Sequence, residues 1–557
     1  MKLKSDDKIV LSAILIIVSV FIQFIFRRFD DNTLARWGWV FYGAEMGEVY
    51  LFLVLALAVA FMVSKLESPG RYPRTFLFAL SFFAAVPAMG MPEIILDAGR
   101  YFLEAKHLEM YGAGYFLSEW GGGIPVWTDM PLVPMIYGLL FSLFGEERIY
   151  VQLFNMVLFS STVVITFLIG KELWDEERGF YAGLFLLAIP YLLTQVPLMM
   201  VDIPTMFMTT ASYYVFIIAV REGSTQYLLL SPFMIFLAVL TKYSAILLLA
   251  PLPALAFVIS DHEAKVVLKR VALVSAALLL LASLAVLGMG ETILKQARLF
   301  MEYQAPRLDS WGESHVSTFL FQVSPFLAIF SLIGAYTSYR ERDKKFLVVL
   351  WIAVIAFLLE LKRIRYLLPL FPMLALAASC GVCSLGEREV RRFAGFGIVS
   401  VSLAIFYLLY LPFLGSISTA NIKDAGEFID TLKCGSVGVY ILPQKNSKAN
   451  TEIAIPLLDI FSDKEMVNIP NMEMRADDEA QASSLRFTWA PDWGKFARRI
   501  SPDEKLPIAV VSSEKLIEAP IEIINNLEEH GTLALFEKST NAFKFKTYVT
   551  IFGKECS

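Results

Sequence analysis

Long apolar runs, each followed by a short polar segment, make up most of the chain before residue 415. A helix that crosses a bilayer needs roughly 17–25 mostly apolar residues. Thirteen runs are candidate spans: 9–27, 48–64, 74–92, 151–170, 180–198, 203–220, 227–241, 244–259, 271–290, 317–336, 345–361, 365–385 and 393–415. The pattern predicts a polytopic α-helical membrane protein with about 13 transmembrane helices.

Two regions depart from this pattern. Residues 93–150 form a long loop with one short apolar stretch, 131–145, which we interpret as a helix that lies along or dips into the membrane surface. After residue 415 the charge density becomes that of a soluble protein, with strand-like runs and helical patterns between them. The strand-like runs are 437–442, 508–512, 532–536 and 543–551, and the helical patterns are 424–433 and 520–530. We predict a transmembrane domain over 1–415 and a small α/β domain over 416–557.

The placement of Lys and Arg between the spans predicts the orientation of the chain. An odd number of spans puts the two termini on opposite sides of the membrane. If the N-terminus is cytoplasmic, the cytoplasmic turns carry basic clusters at 265–270, 340–345 and 388–392, and the opposite segments are longer but hold fewer basic residues. This distribution follows the positive-inside rule, with Arg27-Arg28 as the one clear exception. We expect a multi-pass protein of the cell membrane with an extracytoplasmic 416–557 domain.

Composition supports this class and excludes others. Charged residues make up 18% of the chain, against about 25% in soluble proteins. The net charge of −5 gives no reason to expect nucleic-acid binding. The four cysteines are too few for a disulfide framework. Cys380 and Cys383 lie in an apolar run and suggest packing, whereas Cys434 and Cys556 are candidates for a disulfide.

Asp97 heads the run Asp97-Ala98-Gly99-Arg100-Tyr101, just past the apolar segment 74–92. A carboxylate and a guanidinium three residues apart are costly to keep next to hydrocarbon. Ionisable groups at that depth usually mark a substrate site. The plainer alternative is an interfacial ion pair on the first turn of a loop helix.

Further polar residues interrupt the apolar runs, and the predicted topology puts them all on the outer side. They are Tyr101, Asp129, Asp202, Lys242, Arg307, Glu313, His315, Lys362, Arg363, Arg365 and Tyr366. Each has a plain interpretation: Asp202 as a helix cap, Lys242 as a snorkelling side chain, the 362–365 cluster as a membrane anchor. Together, carboxylates and cations from separate spans predict a site for an anionic, lipid-attached ligand.

The evidence for a metal or a nucleotide is weaker. Glu104 and His107 lie three residues apart and are candidate metal ligands, although an ordinary surface pair is the simpler interpretation. The chain has no phosphate-binding Gly-Lys-Ser/Thr loop, which argues against an ATP-driven pump. The sequence does not identify a particular cofactor, and a divalent metal remains a candidate.

An ordered series of motifs resembles the integral-membrane glycosyltransferases of the C-type fold that use polyprenyl-phosphate sugars, in the branch of the protein O-mannosyltransferases and the lipid A aminoarabinose transferases. The series is Asp-x-x-Arg-Tyr (97–101), a Pro-containing motif before Leu-Phe-Gly (131–145), Gly-Lys-x-Leu-Trp (170–174), Asp202, Leu-Thr-Lys (240–242) and Arg-Tyr-Leu-Leu-Pro-Leu-Phe-Pro (365–372). The chain departs from this family at Ala98, where a second acidic residue is usual, and at Met130, where many members have Lys.

The resemblance implies transfer of a sugar from a polyprenyl phosphate to an acceptor protein, lipid or glycan on the outer face, with inversion. Asp97 would be the general base or would orient the acceptor. Arg100, Lys242, Arg363 and Arg365 would bind the donor phosphate. Substrate contacts would come from the remaining polar residues, Tyr101, Asp129, Asp202, His315 and Tyr366.

Other functions explain part of the pattern. A transporter or flippase for an anionic lipid-linked substrate would use the same charges, but it predicts ionisable residues at the bilayer midplane and paired repeats, and no repeat is visible. A structural or sensor protein leaves the shared placement of the charges unexplained. An oligosaccharyltransferase would typically carry Trp-Trp-Asp in its outer domain, a motif this sequence lacks.

Overall fold

The computed structural model describes residues 4–29, 38–66, 71–304, 314–315, 317–358, 363–442, 453–470, 500–501, 504–540 and 547–554. Within these ranges the chain is helical up to residue 431 and mixed afterwards. The predicted site residues Arg307, Glu313 and Lys362 lie outside the described residues.

The helical part contains twenty α-helices among the described residues. They are α1 (Ser5–Phe26), α2 (Met46–Lys65), α3 (Pro73–Ala85), α4 (Asp97–Glu119), α5 (Leu132–Phe144), α6 (Arg148–Leu173), α7 (Glu176–Phe185), α8 (Pro190–Gln195), α9 (Asp202–Glu222), α10 (Thr225–Thr241), α11 (Ala245–Leu249), α12 (Leu252–Ile259), α13 (Ala264–Leu299), α14 (Pro325–Glu341), α15 (Leu347–Leu358), α16 (Ile364–Leu367), α17 (Phe371–Cys383), α18 (Arg388–Ile405), α19 (Leu411–Ser416) and α20 (Ala420–Thr431).

Eight helical stretches of the described chain are long and apolar enough to cross a membrane. They are Ser5–Phe29, Met46–Lys65, Pro73–Gly90, Arg148–Leu173, Asp202–Glu222, Ala264–Glu302, Ile364–Cys383 and Arg388–Ser416. The protein is therefore a multi-pass membrane protein, but the predicted count of 13 spans is not confirmed. The other predicted runs form shorter or interrupted helices, several of which start at a proline, such as α8 at Pro190 and α14 at Pro325. Proline has no N–H for the helical ladder, so a continuous apolar run is divided there.

The helices differ in how much of their surface is buried. Helix α9 and the stretch Ile364–Cys383 are mostly buried inside the bundle, whereas α1, α2 and α13 expose most of their apolar side chains. Apolar side chains on the outside of a helical bundle are expected where lipid is the solvent. The two central stretches carry Asp202 at the start of α9 and Arg365 at the start of the other, so the site residues lie at the ends of the best-packed helices.

A five-stranded sheet follows the helices. Its strands are β1 (Ser436–Ile441), β2 (Glu465–Ile469), β3 (Ile508–Ser512), β4 (Thr532–Phe536) and β5 (Tyr548–Phe552), in the order β2-β1-β3-β5-β4. Strand β1 pairs in parallel with β2 and β3, whereas β5 pairs antiparallel with β3 and β4. Two short helices, α21 (Ala454–Asp459) and α22 (Ile521–Ile524), accompany it. This confirms the predicted C-terminal α/β region, to which the structure adds β2.

The C-terminal region packs directly on α4. Buried residues of α4 share one apolar cluster with α21 and with β1, β3 and β5. At Gly99 a Cβ atom would lie 3.2 Å from side-chain carbons of both Ile453 and Pro456. Helix α5 packs on the neighbouring face, where Gly138 meets the carbonyl oxygen of Ala105. Helix α4 is therefore fixed from two sides, and its first turn carries Asp97.

Candidate active site

Asp97 is the first residue of α4, where a carboxylate is favoured by the free N–H groups of the helix start. Its Oδ2 accepts a hydrogen bond from Nη1 of Arg365 at 2.6 Å. Its Oδ1 lies 3.9 Å from Nη1 of Arg100. The side chain is 13% exposed, so Asp97 is held between two arginines at the edge of the buried interior.

Arg365 joins two acidic residues from separate helices. While Nη1 binds Asp97, Nε donates to Oδ2 of Asp202 at 3.0 Å. Arg365 lies in the one-turn helix α16, which leads through a proline-containing 3₁₀ turn into α17. The planar guanidinium presents several N–H donors in a fixed fork, which a lysine cannot reproduce. One buried arginine thus fixes the start of α4 relative to the start of α9.

Asp202 binds a second cation as well. Its Oδ1 accepts a hydrogen bond from Nζ of Lys242 at 2.9 Å. Asp202 is 1% exposed, whereas the Lys242 side chain is 20% exposed, so the lysine lies at the open side of the pair. Lys242 directly follows α10 in an extended backbone conformation. The result is a line of alternating charge from Asp97 through Arg365 and Asp202 to Lys242.

The ring of Tyr366 lies close both to Lys242, at the end of this line, and to a further cation, Arg363. Its ring centroid lies 5.8 Å from Nζ of Lys242 and 5.5 Å from the guanidinium carbon of Arg363. Cations within about 6 Å of an aromatic ring are attracted by its electron-rich face. Arg363 and Tyr366 from one turn therefore lie beside Lys242 from another, and Arg365 shares Asp202 with that lysine.

A second branch starts from Arg100. Its Nη2 donates to Oδ1 of Asp129 at 3.0 Å, and its Nε lies 2.7 Å from Oδ2 of the same carboxyl group. The hydroxyl of Tyr101 donates to Oδ1 of Asp129 at 3.1 Å. Trp127, two residues earlier, has a φ of 33°, a left-handed conformation that is uncommon for a bulky residue. The 126–129 segment is thus held in a tight turn that presents Asp129 to α4.

The arginines decide the protonation state of Asp97. Burial raises the pKa of Asp97, but the charges of Arg365, Arg100 and Arg363 outweigh burial and hold the pKa below its usual value. Asp97 is therefore a carboxylate at neutral pH, able to accept a hydrogen bond or a proton. Burial and the Asp129 charge raise the pKa of the Tyr101 hydroxyl, which keeps it a hydrogen-bond donor.

The predicted site residues at the periphery lie differently. Nε2 of His315 lies 3.4 Å from the carbonyl oxygen of Ala356, and its ring lies 4.7 Å from the ring of Phe357. None of its described contacts is with the Asp97 network.

Glu104 and His107 are each 2% exposed, so the expected surface pair is wrong. The Nδ1–H of His107 donates to the carbonyl oxygen of Leu103 at 2.8 Å. Within the described ranges, no group of three or more His, Cys, Asp or Glu residues has a metal-binding arrangement.

Two contacts that position the site were not predicted. Glu93 is 3% exposed and accepts a hydrogen bond from Nε of Arg148 at 2.7 Å and one from the N–H of Met199 at 3.2 Å, just before α9. Gln296, near the end of α13, donates to the carbonyl oxygen of Asp129 at 2.7 Å. A signal for both was available, because each is a polar residue beside an apolar stretch.

Comparison with known proteins supports the same family. Residues 128–288 match the family model described as dolichyl-phosphate-mannose-protein mannosyltransferase. This range contains Asp129, Asp202 and Lys242, whereas Asp97 and Arg365 lie outside it. No curated protein matches the chain significantly.

Two solved structures of ArnT from Cupriavidus metallidurans are similar to most of the chain. The structure bound to undecaprenyl phosphate has a TM-score of 0.52 at 14% identity, covering 91% of this chain and 98% of that one. The apo structure has a TM-score of 0.53 at 12% identity, covering 86% and 97%. The family match and the shared fold confirm the resemblance of this chain to the C-type-fold integral-membrane glycosyltransferases that use polyprenyl-phosphate sugars.

Proposed function

We propose that the protein transfers a sugar from a polyprenyl-phosphate donor to an acceptor hydroxyl or amine at the outer face of the membrane, with inversion of the anomeric carbon. The observation that carries this proposal is the buried line Asp97–Arg365–Asp202–Lys242, which begins with a carboxylate and ends with a partly exposed cation. A proton acceptor and a phosphate-binding cation are the two groups that this reaction needs.

The cations receive the leaving group. As the bond between the anomeric carbon and the phosphate oxygen breaks, the bonding electrons and a negative charge pass to the lipid phosphate. Lys242 and Arg363 flank Tyr366 at the open end of the line and bind this phosphate. Arg365 uses Nε and Nη1 for carboxylates, and its Nη2 makes no hydrogen bond to a described residue, so Nη2 is the donor atom left for the phosphate.

The carboxylates handle the acceptor. The acceptor oxygen or nitrogen forms the new bond to the anomeric carbon on the face opposite the phosphate, and its proton passes to Asp97. Arg100 and Arg365 keep Asp97 ionised and fix its direction. Contacts with the sugar or the acceptor come from hydroxyl and carboxylate groups, those of Tyr101, Asp129, Asp202 and Tyr366. His315 retains the substrate-contact role that the family resemblance implies.

The comparisons support a lipid phosphate as the donor. ArnT has been solved with undecaprenyl phosphate, and the matched family is described by its dolichyl-phosphate-mannose donor. The transporter alternative is not favoured, because the matched family is described as a mannosyltransferase. No step is routed through a metal, since the described residues provide no cluster of three ligands for one.

The orientation of the chain belongs to this proposal. We assign 1–415 to the transmembrane catalytic domain, 416–557 to an extracytoplasmic domain, and the N-terminus to the cytoplasmic side of the cell membrane. The basic clusters between the spans support this orientation. Cys434 is disulfide-bonded, which suits a compartment where disulfides persist. Cysteines introduced at the exposed positions 265 and 517, labelled with a membrane-impermeant reagent, should react from the inside and the outside respectively.

The direct test is transfer by the purified protein in liposomes. Polyprenyl-phosphate sugars should give a glycosylated acceptor of inverted configuration by NMR, whereas nucleotide sugars should give none. Asp97→Asn, loaded at equal amount, is the matched inactive control. Equal product from wild type and Asp97→Asn would contradict the catalytic assignment. Movement of the donor between leaflets without any transfer product would favour the transporter alternative.

A further inference from the structure

Glu104 is a buried acid without a hydrogen-bond donor. It lies two turns after Asp97 on α4 and is 2% exposed. Both carboxyl oxygens are buried, and neither accepts a hydrogen bond from a described donor. Its one ion contact among the described residues is with Nε of Arg100, at 4.0 Å, beyond hydrogen-bond length. A buried carboxylate in this position is costly unless its charge is removed.

Arg100 does not compensate the charge of Glu104, because its guanidinium group already pairs with the carboxyl group of Asp129. The Asp129 carboxyl group receives Nη2 of Arg100 at 3.0 Å and has Nε at 2.7 Å. Asp97 is in turn compensated by Arg365. Three carboxyl groups therefore surround Arg100, and Glu104 is the one that has no cation of its own.

Oε1 of Glu104 and Oδ2 of Asp129 both lie at Nε of Arg100, at 4.0 and 2.7 Å, and both oxygens are buried and receive no hydrogen bond from a described donor. Two carboxylates only accept, so a hydrogen bond between them requires a proton. We propose that Glu104 carries this proton, donates it to Asp129, and is thereby a positioning residue that holds Arg100 against the Asp97 carboxylate.

The electrostatics agree with the geometry. Burial is the largest cause that raises the pKa of Glu104, followed by the charge of Asp129; the Asp97 charge adds to it, and Arg100 opposes it. The result lies well above the usual value for a glutamate. Tyr101, the remaining titratable group at Asp129, stays neutral and donates to it.

Loss of this proton would rearrange the site. Two ionised carboxyl groups in contact repel each other, and Glu104 would then compete with Asp129 and Asp97 for Arg100. This inference rests on the proposed function and adds to it a specific consequence. The rate of transfer should fall as the pH rises through the pKa of Glu104, while Asp97 stays ionised throughout.

The test compares pH–rate profiles of Glu104→Gln, Asp129→Asn and wild type. The Gln amide of Glu104→Gln is permanently neutral and donates to Asp129, so this variant should lose the alkaline fall in rate that wild type shows. Asp129→Asn removes the partner of Arg100 and should lower transfer about tenfold or more across the pH range. Glu109→Gln, the same substitution on the same helix, is the control and should keep the wild-type profile. An unchanged alkaline fall in Glu104→Gln would overturn the proposal.

A second readout does not depend on activity. Infrared difference spectra in heavy water, wild type against each variant above pH 7 where Glu146 has ionised, should show a protonated-carboxyl band of wild type that disappears as the pH rises further. Glu104→Gln should lack this band, and Glu109→Gln should retain it. A band that persists in Glu104→Gln would assign the proton to another acid and overturn the proposal. If wild type transfers no sugar from any polyprenyl phosphate, the proposed function fails, whereas the infrared result still decides whether Glu104 holds the proton.

Discussion

Helix α4 carries two buried ionic clusters that are built on opposite principles. At its start, Asp97 and Arg100 belong to a network in which carboxylates and cations alternate and Lys242 is partly exposed. Two turns later, Nζ of Lys106 lies 2.7 Å from Oδ2 of Asp459 and 2.8 Å from Oε1 of Glu146. The second cluster is a single cation between two acids from different parts of the chain.

We interpret the first cluster as a ligand-binding site and the second as the attachment of the C-terminal region to α4. The first cluster holds an ionised carboxylate beside cations at an open edge, which is the arrangement for binding a charged ligand. The second ties α4 to α21 and to the loop before α6, and Phe102 adds a ring 4.9 Å from Nζ of Lys106. We therefore expect changes in the first cluster to affect turnover and changes in the second to affect the attachment of the C-terminal region.

The largest effect should follow from Asp97→Asn. The amide keeps the shape of the side chain but cannot take a proton, so transfer should fall by about 10²–10⁴-fold. Initial rates at saturating donor measure this loss. Asp459→Asn makes the same change in the second cluster and should retain most of the rate. Equal losses from both substitutions would show that the two clusters do not have separate roles.

Arg365→Lys tests the bridge between α4 and α9. A lysine keeps the charge but cannot span Asp97 and Asp202 with a planar fork. Loss of one or two charge-assisted hydrogen bonds should raise the donor KM about 10–100-fold. The matched control is Arg391→Lys, because Arg391 pairs with Glu177 through Nε at 3.0 Å at an exposed position. An unchanged donor KM in Arg365→Lys would remove this residue from the phosphate site.

Lys106→Met should act on stability rather than on chemistry. Among the described residues Lys106 is the cation that pairs with Asp459 and Glu146, so its removal leaves both acids uncompensated, at a cost of about 3–5 kcal/mol. Limited proteolysis should then cut the 416–557 region earlier, while the rate per intact molecule changes little. The combination of Lys106→Met with Asp459→Asn and Glu146→Gln restores neutrality and should recover protection. Failure of this rescue would mean that charge is not what holds the region.

The smallest effect should be a pH dependence centred on Glu146. Burial raises the pKa of Glu146 to about 7, although Lys106 opposes the shift. In the unfolded chain it ionises near its ordinary value, so the folded state holds the extra proton between about pH 4.5 and 7. Stability should therefore fall as the pH rises through this window. Glu146→Gln should flatten thermal melting curves across it, and a slope identical to wild type would contradict the assignment.

The class of fold could be predicted from the sequence, because the length of an apolar run is read directly from consecutive residues. The sequence predicted the charged members of the site for a related reason: Asp202, Lys242 and Arg365 are each conspicuous at the end of an apolar run. The pairing of these groups required the structure, since nothing in the chain says that Arg365 spans Asp97 and Asp202. Breaks at Pro190 and Pro251 make short helices of apparent spans, because proline lacks the N–H of the helical ladder, a property that hydropathy does not record.

Other expectations failed for physical reasons. Glu104 and His107 have the spacing of an exposed helix face, and only the packing of α4 against the C-terminal region and α5 buries them. Strand β2 is five residues long with a polar Asn468, too short for alternation to identify it.

The close contact at Gly99 has a consequence for exchanging the C-terminal region between relatives. Because side-chain carbons of Ile453 and Pro456 would lie only 3.2 Å from a Cβ atom at Gly99, the C-terminal region packs closely on the backbone two residues after Asp97. An exchanged C-terminal region from a relative would fit only if it met this notch with similar side chains. The C-terminal region and α4 should therefore be exchanged together in a chimaera rather than one at a time.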